Sequence, residues 1–171
     1  AVRKKTKVGL EADGYMQAGE LVPDDVVNRI VAETLDDLDY DSFVLDGYPR
    51  TVTQAEFLLA LLKDNDAPVD AVISLRVSED RIVQRLSRRR THRETGEIYH
   101  LDFNPPPDHV SEDELIHRKD DRPEAIRIRL IEYHEKTQPL ESYFREKGLL
   151  VEVDGLGSLG EVQARVEAVL S

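Results

Sequence analysis

The chain has 171 residues, enough for one domain with an inserted flap and a buried core. Asp and Glu number 35 against 23 Lys and Arg, a formal net charge of −12, which argues against a protein that coats nucleic acid or lies on a membrane surface. There is no cysteine, so disulfides and thiolate zinc sites are excluded, and no signal peptide or long apolar segment stands out; a soluble, cytoplasmic protein is the expectation.

Residues 1–19 are polar and helix-compatible but interrupted by Gly9 and Gly14, a pattern that predicts two short helices. The chain opens as Ala1-Val2-Arg3 without Met and in mid-pattern, as a fragment would. Pro23-Asp24-Asp25 then suits the first turn of a helix, where a missing N–H and negative charge are both tolerated. Val26, Val27, Ile30, Val31 and Leu35 follow at helical spacing and predict a core-facing helix to about Leu38. The acidic stretch 36–41 is the loop into a short strand at 43–46.

That strand ends in Asp46-Gly47-Tyr48-Pro49-Arg50, followed at once by a helical pattern from Thr51. A strand feeding a helix is where ligands collect in an open α/β sheet. Gly47 lets the backbone approach a ligand, Pro49 stiffens the turn, and Arg50 offers a planar fork of donors suited to phosphate. An ordinary turn with a surface arginine is the competing reading. Ala55, Leu58, Leu59 and Leu62 form the buried stripe of the next helix, and Gln54 lies one turn after Arg50 on the same face. Its amide carries donors and an acceptor that can match the edge of a base, although a lone Gln is more often solvated.

Residues 71–77 are a strongly apolar run of strand length, and Ser78-Glu79-Asp80 can start a helix after it. That helix is expected to carry Arg81, Arg85, Arg88, Arg89, Arg90 and Arg93, six arginines in thirteen residues of an acidic chain. Arg85 and Arg89, four apart, would share a helical face and create a positive field suited to polyphosphate. Residues 91–121 break the pattern, with β-prone Ile98-Tyr99-His100-Leu101 and Asn104-Pro105-Pro106-Pro107, and read as an inserted small β flap. Pro123 opens a long helix to about Lys147, with Ile126, Leu130, Tyr133, Leu140 and Phe144 as its apolar stripe. Pro139 predicts a kink or break near residue 135. A strand at 149–153, a turn at Asp154-Gly155-Leu156-Gly157 and a last amphipathic helix with Val162, Val166, Val169 and Leu170 complete the order.

Five ordered pieces resemble the adenylate kinases, a nucleoside monophosphate kinase family. They are Met16 to Asp24, Leu45 to Thr51 with Gln54, Arg85 to Arg90, Ile98-Tyr99-His100 with Asn104-Pro105-Pro106, and Arg118-Lys119-Asp120-Asp121 with Arg129. The resemblance covers essentially all 171 residues. It implies an α/β fold with a P-loop-type parallel sheet core and flanking helices: residues 1–22 part of an AMP-binding helical flap, 23–90 core, 91–121 an inserted small β lid, and 122–171 core. It further implies reversible transfer of the terminal phosphoryl group of ATP to AMP, giving two ADP, by a monomer with Mg²⁺ and without nucleic-acid or membrane partners.

Carried over by resemblance, Arg50, Arg118 and Arg129 would hold the AMP phosphate and the transferring group, and Arg85 and Arg89 the ATP phosphates. Glu20, Leu21, Val22, Gly47, Tyr48, Pro49 and Gln54 would form the AMP pocket. Ile98, Tyr99 and the backbone at Gly157 would border the ATP base and ribose, and Asp46 would act on Mg²⁺ through water. Asp120 and Asp121 would orient arginines across the lid hinge.

Three departures qualify this. The family's Gly-x-x-Gly-x-Gly-Lys loop, with two strands around it, is absent from these residues, so the chain as given is expected to be an inactive fragment of a longer kinase whose strands 42–46 and 71–77 lack the neighbour between them. Where some members bind structural zinc through two Cys pairs, His92 and Thr95 stand at the first pair and no second pair is evident, so no structural zinc is expected. Arg88 replaces the Gly usual before the paired arginines, and either contacts phosphate or faces solvent. The rival readings are a UMP or CMP kinase, and a non-catalytic nucleotide-binding or interaction protein that has lost the loop.

Overall fold

A computed structural model of the chain describes residues 6–18 and 20–170. They form two compact units, one running to Val72 and resuming from Lys136 to Leu150, the other covering Ile73–Glu135 and continuing from Val151.

The first unit is helical. Helix α1 (Lys7–Ala18) packs on α2 (Asp24–Asp36), and Val8, Ala12 and Val26 are buried between them with Tyr15, Val22 and Ile30 alongside. This is one helix where two were expected. Each glycine costs about 1 kcal/mol against Ala in a helix, but Val8, Ala12 and Tyr15 recur at i, i+4 and i+7, and their burial against α2 outweighs that. Gly19, the last residue of the polar stretch 1–19, lies outside the described residues. Arg29 Nη1 and Nη2 fork onto Glu11 at 2.9 Å each and tie α2 back to α1.

Helix α2 buries Leu35 against Leu58 and Leu62 of α3 (Val52–Asp64). Leu35 and Leu62 are at most 1 % exposed, each worth about 1.5–3 kcal/mol of burial. The expected strand at 43–46 does not form. Its residues are extended, with Phe43 and Leu45 turned to the Leu35 cluster and Val44 90 % exposed, the alternation of a strand. A strand also needs a ladder partner, and no described segment pairs with this one. Ala55 of α3, with Leu140 and Phe144 of α6 (Pro139–Glu146), makes a further buried cluster.

The second unit holds one sheet and most of another, whose two strands begin at the last residues of the first unit's segments. Strands β1 (Val72–Arg76) and β5 (Leu150–Asp154) run parallel: Val72 N–H donates to Leu149 O at one end and Gly155 N–H to Arg76 O at the other, so both chains advance together. A Cβ on Gly155 would sit 2.6 Å from Val77 Cγ2, so the close approach requires glycine. Between these strands come α4 (Glu79–Ser87), then β2 (Arg89–His92), β3 (Ile98–His100) and β4 (Leu115–Ile116), which form an antiparallel sheet with β2 central. The arginine run is therefore not one helix. Helix α4 ends at Ser87, Arg88 caps it, and Arg89 and Arg90 lie on β2, whose two partners satisfy its backbone on both sides.

Helix α5 (Pro123–Glu132) begins with Pro123 at its first turn and stops at Glu132, short of the expected Lys147. A π-helical turn at Tyr133–Thr137 precedes Pro139, which cannot donate the i−4 bond a continuous helix needs. The break therefore falls where Pro139 places it. Helix α7 (Leu159–Leu170) half-buries Val162, Val166 and Val169 but leaves Leu170 exposed. No described helix is long and apolar enough to cross a membrane.

Candidate nucleotide site

In the first unit the candidate residues gather on the turn between the unpaired segment and α3. Gly47 takes φ +75°, which glycine alone adopts freely, and the Tyr48–Pro49 peptide is cis. Arg50 Nε donates to Gly47 O at 2.8 Å, and Thr137 Oγ1 donates to Arg50 O at 3.0 Å, so the turn is held at both ends. The Arg50 side chain itself is exposed. Thr51 caps α3 by accepting from Gln54 N–H at 3.2 Å.

Behind the turn lies a polar network. Gln54, 5 % exposed, accepts from Arg50 N–H at Oε1 (2.7 Å) and donates through Nε2 to Asp24 Oδ1 (2.7 Å). Asp24 Oδ2 accepts from Thr51 Oγ1 at 2.9 Å. Tyr48 OH donates to Asn28 Oδ1 at 2.6 Å and lies 3.3 Å from Gln54 O. Burial pushes the Tyr48 phenol up to about 12, with the Asp24 charge adding in the same sense. Glu20 and Leu21 are exposed and Val22 is half-buried on the segment before α2.

The second unit carries a cavity of about 420 Å³ lined by Val77, Ile82, Arg85, Leu86, Arg89, Ile98, Tyr99, His100 and Asn104. Arg85 and Arg89 thus share one pocket although one is on a helix and the other on a strand. Arg89 forks onto Asp121, Nε to both carboxylate oxygens at 3.1 Å and Nη2 to Oδ1. Asp121 is fully buried, and the bond to it raises the Arg89 guanidinium above its ordinary value. Arg88 does not line the pocket; it is exposed to solvent and pairs there with Asp102, Nη2 to Oδ1 at 2.6 Å, which holds that carboxyl below its usual range. Arg129 Nη1 lies 4.0 Å from Asp120 on the surface. The side chains of Arg85 and Arg118 meet no carboxylate among the described residues.

The histidines of this sheet take backbone N–H groups on Nδ1, and His92 Nε2 also lies 3.7 Å from Glu114 Oε1. His92 Nδ1 accepts from Glu94 and Thr95 N–H, and His100 Nδ1 from Asp102 and Phe103 N–H, so His100 Nε2 carries the proton and donates to Arg85 O at 3.1 Å. Ser111 N–H and its hydroxyl both donate to Glu114, which holds that carboxyl below its ordinary value. No three His, Asp or Glu side chains among the described residues converge to hold a metal.

The second unit's pocket thus joins two arginines to apolar and aromatic residues, and the first unit's Gly-Tyr-Pro-Arg turn is backed by a buried amide. A sequence model of the family described as Adenylate kinase matches residues 1–149. The chain belongs to the adenylate kinase family. It is 49 % identical to the adenylate kinase of Salinibacter ruber over 99 % of this chain and 80 % of that protein. It is 44 % identical to the one from Archaeoglobus fulgidus and 42 % to the one from Fusobacterium nucleatum, each over 99 % of this chain and 81 % of the relative.

As an adenylate kinase the chain has supports that its sequence concealed. Asp24 reads as a helix-start acid and Asn28 as one polar residue of an amphipathic helix, yet both hold the turn before α3. Arg165 of α7 donates to the carbonyls of Asp154 (2.8 Å) and Leu156 (2.6 Å) and so braces the loop before Gly157. No local signal marks any of the three, because each depends on a partner at least nine residues away.

Proposed function

We propose that this kinase chain binds ATP and AMP for transfer of the terminal phosphoryl group of ATP to AMP, giving two ADP. The observation that carries this is the pocket in which Arg85 and Arg89 stand beside Ile98, Tyr99 and His100, cations next to apolar and aromatic side chains. Phosphoryl transfer asks the protein for positioning, exclusion of water and positive charge, and this lining supplies the positive charge beside apolar side chains. Arg85 and Arg89 take the ATP phosphates; Ile98, Tyr99 and the backbone at Gly157 border its base and ribose. Arg50, Arg118 and Arg129 take the AMP phosphate and the transferring group. Gln54 reads the AMP base, with Glu20, Leu21, Val22, Gly47, Tyr48 and Pro49 around it. Residues 1–22 then serve as part of the AMP flap and 91–121 as the lid, on a core of 23–90 and 122–171.

Mg²⁺ commonly keeps several waters and binds one or two carboxylates with substrate phosphates. The exposed Asp46 fits that demand as a single carboxylate holding the ion through water. Mg²⁺ supplies neutralisation of phosphate charge; orienting and desolvating the reactants falls to the arginines and pocket walls. A monomeric cytoplasmic enzyme agrees with the acidic, cysteine-free composition.

The 171 residues contain no Gly-rich lysine loop, so we infer nucleotide binding without turnover by this chain alone. Titration calorimetry with AMP, UMP and CMP tests the base preference, and a coupled assay for ADP tests turnover. AMP should bind at least tenfold more tightly than either pyrimidine nucleotide, and Arg118→Ala should weaken it. Equal binding of all three, an unchanged Arg118→Ala variant, or turnover at a kinase rate would overturn the corresponding part of the reading.

A further inference from the structure

The geometry points to Asp24 as a specificity-determining positioning residue: by fixing which end of the Gln54 amide donates, it selects a 6-aminopurine over a 6-oxopurine monophosphate. This rests on the reading that Gln54 meets the AMP base.

An amide side chain has two orientations of nearly identical shape, with oxygen and nitrogen exchanged. Here the partners decide between them. Arg50 N–H can only donate, so the atom 2.7 Å from it is the oxygen. Asp24 Oδ1, as a carboxylate, can only accept, so the atom 2.7 Å from it is the nitrogen. Asp24 is itself held, because Oδ2 takes the Thr51 hydroxyl at 2.9 Å. Exchanging the amide would set N–H against N–H at one end and oxygen against carboxylate at the other. At 5 % exposure no water is at hand to relieve either clash.

One hydrogen of Nε2 and one lone pair of Oε1 remain unused. That donor and acceptor, in fixed order, match an exocyclic amino group beside a ring-nitrogen acceptor. A 6-oxopurine presents a carbonyl at the same place, and on its pairing edge a ring N–H, so it would need the exchanged amide. The amide contacts specify the base only because its orientation is locked, and Asp24 is the one lock made by a side chain.

The test is equilibrium binding of AMP and IMP, which differ at the 6-position and in ring protonation, to the full chain by calorimetry. In Asp24→Asn the new amide can itself turn, so oxygen no longer has to face Gln54, while shape and the bond to Thr51 are kept. The ratio of IMP to AMP dissociation constants should fall about tenfold, as expected for one lost charge-assisted bond of ordinary strength. A merely structural role would weaken both ligands alike and leave the ratio unchanged, and that result overturns the assignment. Gln54→Met separates the two readings. If Gln54 reads the base, this variant abolishes the preference; if the preference survives, the base-reading itself fails, whatever Asp24→Asn does. A preference lost in Gln54→Met but intact in Asp24→Asn refutes the role of Asp24 alone, and a parent chain that binds neither nucleotide refutes both.

Discussion

Asp121→Ala should destabilise the second unit strongly. Asp121 is fully buried and the Arg89 side chain is 25 % exposed, so the carboxylate's removal leaves a mostly buried guanidinium without its anion. Removing one member of a buried ion pair costs about 3–5 kcal/mol. Arg89's quarter exposure lets water reach it, so we expect the lower end, about 3 kcal/mol. With a urea dependence of about 2 kcal/mol per molar, the unfolding midpoint should fall by about 1.5 M. Asp120→Ala is the control: Asp120 and Arg129 are each more than half exposed and 4.0 Å apart, and such a pair is worth less than about 1 kcal/mol. Arg89→Met combined with Asp121→Leu should recover most of the loss, because apolar replacements of both partners carry no orphaned charge. Equal midpoints for Asp121→Ala and Asp120→Ala would refute the view that Asp121 anchors Arg89.

The Tyr48 phenol, raised to about 12, should add stability below pH 10, its unfolded value, and lose it as pH rises toward 12; Tyr48→Phe should flatten that slope in urea melts across pH 9–12. Thr51→Ala removes the α3 cap and a bond to Asp24 and should lower stability by about 1–2 kcal/mol, read as a lower unfolding midpoint. Thr91 Oγ1 is buried on β2 with no hydrogen-bond partner, so Thr91→Val should stabilise by about 1 kcal/mol, and a loss would mean the hydroxyl is satisfied. Arg85→Met should weaken ATP binding at least tenfold in calorimetry while leaving the urea midpoint within about 0.3 M, since no carboxylate depends on it.

The readable parts of this chain were those whose cause is local. Pro23, Pro123 and Pro139 fix helix starts and a break wherever they occur, and the spacing of Leu58 and Leu62 names a buried face directly. Residues 43–46 show the limit. Their alternation is that of a strand, and Phe43 and Leu45 do turn inward, but a strand is a property of two segments and this one has no described partner. The arginine run failed for the same reason in reverse. Spacing of four suggests one helical face, whereas pairing of β2 with both β3 and β4 claims Arg89 for a sheet. Arg85 and Arg89 nevertheless line one pocket, which they reach from a helix and from a strand.

A common logic links the charges of the second unit. Its carboxylates are spent selectively: Asp121 holds Arg89 and Asp102 holds Arg88, whereas Arg85, lining the same pocket as Arg89, has none among the described residues. An arginine already tied to a buried acid loses little side-chain freedom when a phosphate arrives, but its charge is half answered. An arginine without an acid brings its full charge and must be ordered on binding. Pairing one of each in a pocket gives a positioned donor beside an uncompensated positive charge. In a chain of net charge −12, that local positive excess is what the proposed binding of polyphosphate at this pocket would draw on. His100 ties the two together, since its Nε2–H holds the carbonyl of Arg85 while its strand is paired with that of Arg89.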